Sequence, residues 1–170
     1  MKIKSISTIA LIIGLILFTG CRQGTESSRA PSASTPSAVQ EEAAILATLN
    51  AETAAAFSRD YDSWQAKWVH SPFVTKTYID FPENTFTETR GWEEVDGFVR
   101  EFFLEHPDPE PAPQPLDEIA VRLYGNGAWV SYEAMDSIRG LKRETRLMEK
   151  IDGQWKIAGM HTTIYGFDNK

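Results

Sequence analysis

The chain has 170 residues, with 17 lysines and arginines against 24 aspartates and glutamates, and a formal charge of −7. An acidic body with dispersed basic residues argues against a nucleic-acid partner and against adhesion to anionic lipid by charge alone. One cysteine excludes an internal disulfide, so stability must come from core packing.

Lys2 and Lys4 precede an apolar run from Ile9 to Phe18, broken only by Gly14. A charged start, a short apolar core and small residues before a cut site describe a secretory signal rather than a spanning helix. Phe18-Thr19-Gly20-Cys21 resembles the bacterial lipoprotein lipobox. That resemblance implies that residues 1–20 are removed and that Cys21 is lipidated as the mature N-terminus. Loss of Lys2 and Lys4, with no acid lost, takes the charge from −7 to −9. Residues 21–40 are rich in Ser, Thr, Pro and Ala and predict a flexible tether, with a coil span of about 25 Å. The expected address is the cell envelope, with the lipid on Cys21 as the membrane contact. Residues 41–170 suit one domain.

Glu41 to Arg59 predicts a helix, with Leu46, Leu49, Thr53, Ala56 and Phe57 at helical spacing. A shorter helix is expected from Asp62, capped by its carboxylate with Gln65 three places on, and showing Trp64 and Trp68 on one face. Phe73 to Ile79 reads as a strand. Phe81 to Arg90 reads as a loop with a short strand around Phe86. A third helix is expected from Trp92 to Glu105, with a stripe of Trp92, Val95, Val99, Phe102 and Phe103. Five prolines in residues 107–115 predict an extended surface loop. Asp117 to Tyr124 and Ala128 to Met135 are then strands joined across Gly125-Asn126-Gly127. The last hairpin, Leu141 to Thr163, turns at Asp152-Gly153, a pair suited to a two-residue turn. The expected class is α+β, with an antiparallel sheet covered on one face by the helices.

Several stretches in this order resemble the nuclear transport factor 2-like, or SnoaL-like, cone fold. They are Ala55-Ala56-Phe57-Ser58-Arg59-Asp60-Tyr61-Asp62-Ser63-Trp64, Gly91-Trp92 with Phe102, Val121 to Val130, and Asp152-Gly153-Gln154-Trp155-Lys156-Ile157 followed by His161 and Thr163. The resemblance implies a curved sheet around a central pocket, and a homodimer through the outer sheet face. It implies no single activity, because isomerases, dehydratases, hydrolases and binding domains share the fold.

Counting outward from the two-residue turn sets Ile151 against Gln154, Met148 against Ile157, Arg146 against Gly159 and Glu144 against His161. The faces are mixed, and the one bearing Glu144 is favoured as concave because Gly159 would leave room for Arg146. On that register His161 is the candidate general acid or base, Glu144 its orienting partner, and Arg146 an anion or oxyanion stabiliser. The alternative is a charge-satisfied sheet face with an inert His161. Trp64, Tyr78, Trp92 and Tyr132 are the candidate ligand-binding residues, with core packing as the alternative for these and for Trp68 and Trp129. His70 is expected to cap a helix end and His106 to face solvent. The three histidines show no metal-ligand spacing, no phosphate loop is present, and no cofactor is expected. Three readings stay open. One is a lipid-anchored domain that binds a small, partly apolar molecule. Another is an isomerase, dehydratase or hydrolase using His161 with Glu144 and Arg146. The last is an envelope assembly adaptor that uses the outer sheet face.

Overall fold

The computed structural model describes residues 36–136 and 138–167. The predicted leader, Cys21 and residues 22–35 of the tether lie outside the described residues. Helix α1 spans Ala38–Ser58, so the tether's last residues are helical. Its start is a capping box: Ser37 Oγ accepts from Gln40 N–H, and Ser37 N–H donates to Gln40 Oε1 at 2.8 Å. It ends at Arg59, held in the left-handed region at φ 62°. The Arg59 guanidinium offsets that conformation by donating to the carbonyls of Ala56 and His106 and pairing with Glu110. These contacts tie the ends of both long helices to the proline loop.

Helix α1 buries Ile45, Leu49, Glu52 and Ala55. The expected stripe is thus rotated, with Leu46 and Thr53 only half-buried. Burial of Ile45 and Leu49 contributes about 1.5–3 kcal/mol each and holds the helix against the sheet. Glu52 gains nothing that way and requires partners. Helix α2 is a single turn, Tyr61–Gln65, capped by Asp60 rather than Asp62: Asp60 Oδ1 accepts from Ser63 N–H at 3.0 Å. Trp64 and Trp68 are both fully buried on one side of this segment. Helix α3 spans Trp92–Glu105 and buries Val95 and Val99. Phe102 leaves the expected stripe and lies beside Arg59 and His106 at the surface.

The strands are β1 (Thr75–Asp80), β2 (Thr85–Arg90), β3 (Ala120–Tyr124), β4 (Gly127–Asp136), β5 (Gly140–Ile151) and β6 (Gln154–Gly166). They form one open sheet in the order β2-β1-β6-β5-β4-β3. The sheet is mixed rather than wholly antiparallel, because β1 runs parallel to β6. The long return through α3 and the proline loop makes that parallel pairing possible. The short strand expected around Phe86 is the longer edge strand β2, paired with β1 along its length. Asn50 clamps the exit of the proline loop, its side-chain amide bonding both Leu116 N–H and C=O at 2.8 and 2.9 Å.

The last hairpin turns at Asp152-Gly153 with φ of 51° and 79°, and Ile151 faces Gln154. Met148 faces Ile157. Beyond that point the expected register fails. Leu147 pairs with Gly159, so Ala158 is an extra residue, and the strand slips by one. The cause lies on the other edge of β6. Before β1 begins, Ile157 C=O accepts from Val69 N–H at 2.9 Å, and Ile157 N–H donates to Lys67 C=O at 2.8 Å. The Trp68 segment thus occupies that edge first, and β1 takes over at Gly159. Gly159 suits the bulge: a Cβ there would lie 3.4 Å from Leu147 Cβ and 3.5 Å from Thr75 Oγ1.

Candidate functional site

The one-residue slip decides which side chains face the helices. Glu144 pairs with Thr162, not His161, and Arg146 pairs with Met160, not Gly159. Side chains alternate along a strand, so His161 is carried to the outer face. There it is exposed, opposite Thr145 and Thr77. Gly159 also faces outward, against Leu147, so it makes no room for Arg146. The expected Glu144–His161 pair does not exist, and among the described residues no carboxylate bonds that imidazole.

The inner face instead carries two polar rows. One crosses four strands as Tyr78, Thr162, Glu144 and Tyr132. The next runs Lys76, Met160, Arg146 and Val130. Tyr132, Glu144 and Arg146 form a closed triangle in the core. Tyr132 donates to Glu144 Oε2 at 2.8 Å, and Arg146 donates through Nε to Tyr132 Oη at 3.3 Å and to Glu144 Oε2 at 3.1 Å. Arg146 Nη2 adds a contact to the same oxygen at 2.5 Å, and Lys142 Nζ reaches Glu144 Oε1 at 2.7 Å.

Electrostatics fix the protons in this triangle. Burial alone would raise the Glu144 carboxyl, but Arg146, Lys142 and the Tyr132 hydroxyl outweigh it and hold it down at about 2. Burial, with the neighbouring carboxylate, pushes the Tyr132 hydroxyl well above the ordinary phenol range. Burial disfavours the Arg146 cation too, but Tyr132, Glu144 and Glu52 around it keep it charged. At neutral pH the cluster is therefore a carboxylate, a guanidinium and a neutral phenol donor.

Glu52 completes the interior from the helical side. Its Oε1 accepts from both indoles, Trp64 Nε1 at 2.9 Å and Trp68 Nε1 at 3.2 Å. Glu52, Thr162, Lys76 and Lys142 were not among the expected site residues. Only Glu52 leaves a trace in the sequence, as a carboxylate at helical spacing from Leu49 and Ala56. Trp64 joins the cluster through Glu52. Trp92 stacks on Trp64 at 5.8 Å and sits one ring farther out, with exposed His70 stacked on it at 3.8 Å. His70 also contacts Gln65 C=O at 3.0 Å, at the end of α2. Tyr78 is half-buried on the inner face, near Phe98 and with Lys76 Nζ 5.4 Å from its ring.

Two buried polar atoms in this interior, Arg146 Nη1 and Thr162 Oγ1, have no hydrogen-bond partner among the described residues. Such atoms are rare, and each costs about 1–3 kcal/mol when unsatisfied. Among the described residues no group of three His, Cys, Asp or Glu side chains could hold a metal ion, and no helix is long and apolar enough to cross a membrane.

No family model matches the sequence, and no curated protein matches it. Solved structures do match. A cystatin-like fold protein of Burkholderia xenovorans superimposes with a TM-score of 0.56 at 20% identity, over 74% of this chain and 92% of that one. An NTF2-like protein of unknown function from Silicibacter pomeroyi gives 0.57 at 13% identity, over 76% of this chain and 100% of that one. The fold is NTF2-like. A Streptomyces avermitilis protein of the NTF2-like family, provisionally named a dehydratase, gives 0.58 at 15% identity, over 76% of this chain and 99% of that one. Identities this low speak for the NTF2-like fold alone and assign no activity.

Proposed function

We propose that this chain is an envelope lipoprotein, anchored through Cys21, whose NTF2-like domain binds a small, partly apolar molecule between sheet and helices. The observation that carries the binding reading is the pair of partnerless buried donors, Arg146 Nη1 and Thr162 Oγ1, within an otherwise satisfied polar cluster. A ligand acceptor would satisfy both. Half-buried Tyr78, Phe98, Phe103, Leu116, Ile119 and Leu123 pack against the same core, so apolar surface continues from the cluster toward solvent. That gradient suits a ligand with an apolar body and one polar end.

Catalysis by His161 with Glu144 and Arg146 is not supported, since the bulge puts His161 on the opposite face. Glu144, held at about 2, is too weak a base to replace it at neutral pH. The outer sheet face favours a second copy of the chain. Trp129 and Leu147 pair across β4 and β5 and are 51% and 45% exposed, beside exposed Tyr124.

The binding reading is tested by thermal shift with a metabolite panel on wild type and Thr162→Val. A ligand that stabilises wild type more than the variant supports it. A panel that shifts neither protein refutes it, and one that shifts both alike refutes the place of Thr162 in the site. Cys21→Ser tests the anchor: the variant should move from the detergent to the aqueous phase in a phase-partition assay, and an unchanged partition would refute lipidation.

A further inference from the structure

We infer that the polar end of the ligand is a carboxylate, seated among Lys76, Arg146 and Thr162; this rests on the binding reading above. Three donor side chains occupy neighbouring positions on the inner face. Lys76 on β1 and Arg146 on β5 both flank Met160 on β6. Thr162 lies two residues along β6 on the same face, about 7 Å from Met160 by strand rise. Arg146 Nη1 and Thr162 Oγ1 are buried without partners.

Lys76 is 7% exposed, with its ammonium 5.5 Å from the Trp68 ring and 5.4 Å from the Tyr78 ring. It forms no ion pair with the described residues. Two aromatic faces hold this cation at the edge of the interior, and an opposite charge placed beside it would be favoured. The carboxylates of this interior are engaged elsewhere. Glu144 is held by Arg146, Lys142 and Tyr132. Glu52 accepts from two indoles. Asp80, farther along β1, accepts from Glu83 N–H in the turn to β2.

The two unpartnered donors call for an acceptor with more than one lone-pair direction, and Lys76 beside them favours one with negative charge. A carboxylate meets it: one oxygen on Arg146 Nη1, the other shared by Lys76 Nζ and the Thr162 hydroxyl. A neutral amide could satisfy Arg146 and Thr162 but would offer Lys76 no opposite charge. The Trp68 and Tyr78 rings that flank Lys76 would meet the first carbons of the ligand's apolar body.

The test is calorimetric titration of the full chain, in non-ionic detergent, with matched acids and amides: hexanoate against hexanamide, and phenylacetate against phenylacetamide. Arg146 variants would strand Glu144 in the core and risk unfolding, so the variants are Lys76→Met and Thr162→Val. Both keep the side-chain volume. The acid should bind at least tenfold more tightly than its amide. Lys76→Met should abolish that preference, and Thr162→Val should weaken the acid severalfold, with both variants folded by circular dichroism. Equal binding of acid and amide, or an acid affinity unchanged in Lys76→Met, would overturn the carboxylate while leaving the binding reading intact. Binding of neither compound, together with a blank metabolite panel, would overturn both.

Discussion

Glu144→Gln tests the buried triangle most directly. The side chain keeps its shape and loses its charge, so Arg146, 4% exposed, loses the one carboxylate that pairs with it directly among the described residues. Two routes give the cost. Removing one partner of a buried pair typically costs about 3–5 kcal/mol. Independently, the Glu144 carboxyl falls from an ordinary 4.5 to about 2 on folding. At roughly 1.4 kcal/mol per tenfold change in acidity, that is about 3 kcal/mol of stability at neutral pH. The routes agree on a loss of about 3–4 kcal/mol. The sign is set by the direction of the shift. A carboxyl depressed in the folded state stabilises fully above its unfolded value and loses that contribution as pH falls through the folded one. The gap between wild type and variant should thus be full at pH 7 and close progressively from about pH 5 toward pH 2. Urea unfolding followed by tryptophan fluorescence at pH 7, 5 and 3.5 measures it, because Trp64 and Trp68 are fully buried. Total stabilities of about 5–15 kcal/mol leave the variant folded enough to titrate. A loss below 1 kcal/mol at pH 7, or a gap that stays constant across this range, would refute the buried-pair reasoning.

Tyr132→Phe removes one hydrogen bond to Glu144 and one from Arg146 at no change in shape, and should cost about 1–2 kcal/mol by the same unfolding assay. His161→Ala, on the exposed outer face, should change stability by less than about 0.5 kcal/mol and leave interior ligand binding unaltered, as read by melting temperature with and without ligand. Gly140→Ala should be among the most damaging substitutions in the domain. Its φ is +89°, and a Cβ would lie 2.3 Å from the Gly166 carbonyl carbon, so a loss of about 3 kcal/mol or more, or failure to accumulate as folded protein, is expected. Gly159→Val should cost about 1–3 kcal/mol by overpacking against Leu147 and Thr75, while Gly159→Ala should be milder.

Much of the fold was legible because its signals are local. Trp92 to Glu105 has helical spacing and a proline stop, and α3 occupies those residues. Asp152-Gly153 marks its turn because two adjacent positive φ values favour this pair, and the first hairpin contacts follow from it. Less local features escaped. Asp60 and Asp62 are both plausible caps, and only the left-handed Arg59 fixes the chain direction that chooses Asp60. Strand β2 reads only as a short strand around Phe86 within a loop, because all its residues are exposed or half-exposed and no alternation of apolar side chains marks its length. The parallel β1–β6 pairing joins residues more than 80 positions apart, beyond the reach of any local pattern.

The site was half legible for the same reason, and one residue accounts for the difference. Glu144, Arg146 and Tyr132 lie on the favoured face because their alternation within β4 and β5 is uninterrupted. His161 escapes the same reasoning because the strand slips at Ala158 and parity does not carry through that residue. The slip comes from outside the hairpin. The segment after α2 bonds both backbone groups of Ile157 before β1 reaches the sheet. That same segment delivers the Trp68 indole to Glu52. One connection, residues 66–74, therefore does two things at once. It supplies the aromatic wall of the interior, and it sets which residues of β6 look into it. Thr162 takes the inward position that an unslipped strand would assign to His161, and an imidazole is replaced by a hydroxyl beside the Arg146–Glu144 pair. The chemical character of the interior follows from that exchange: a hydroxyl and a neutral phenol beside a carboxylate–guanidinium pair, with the imidazole left on the outer face.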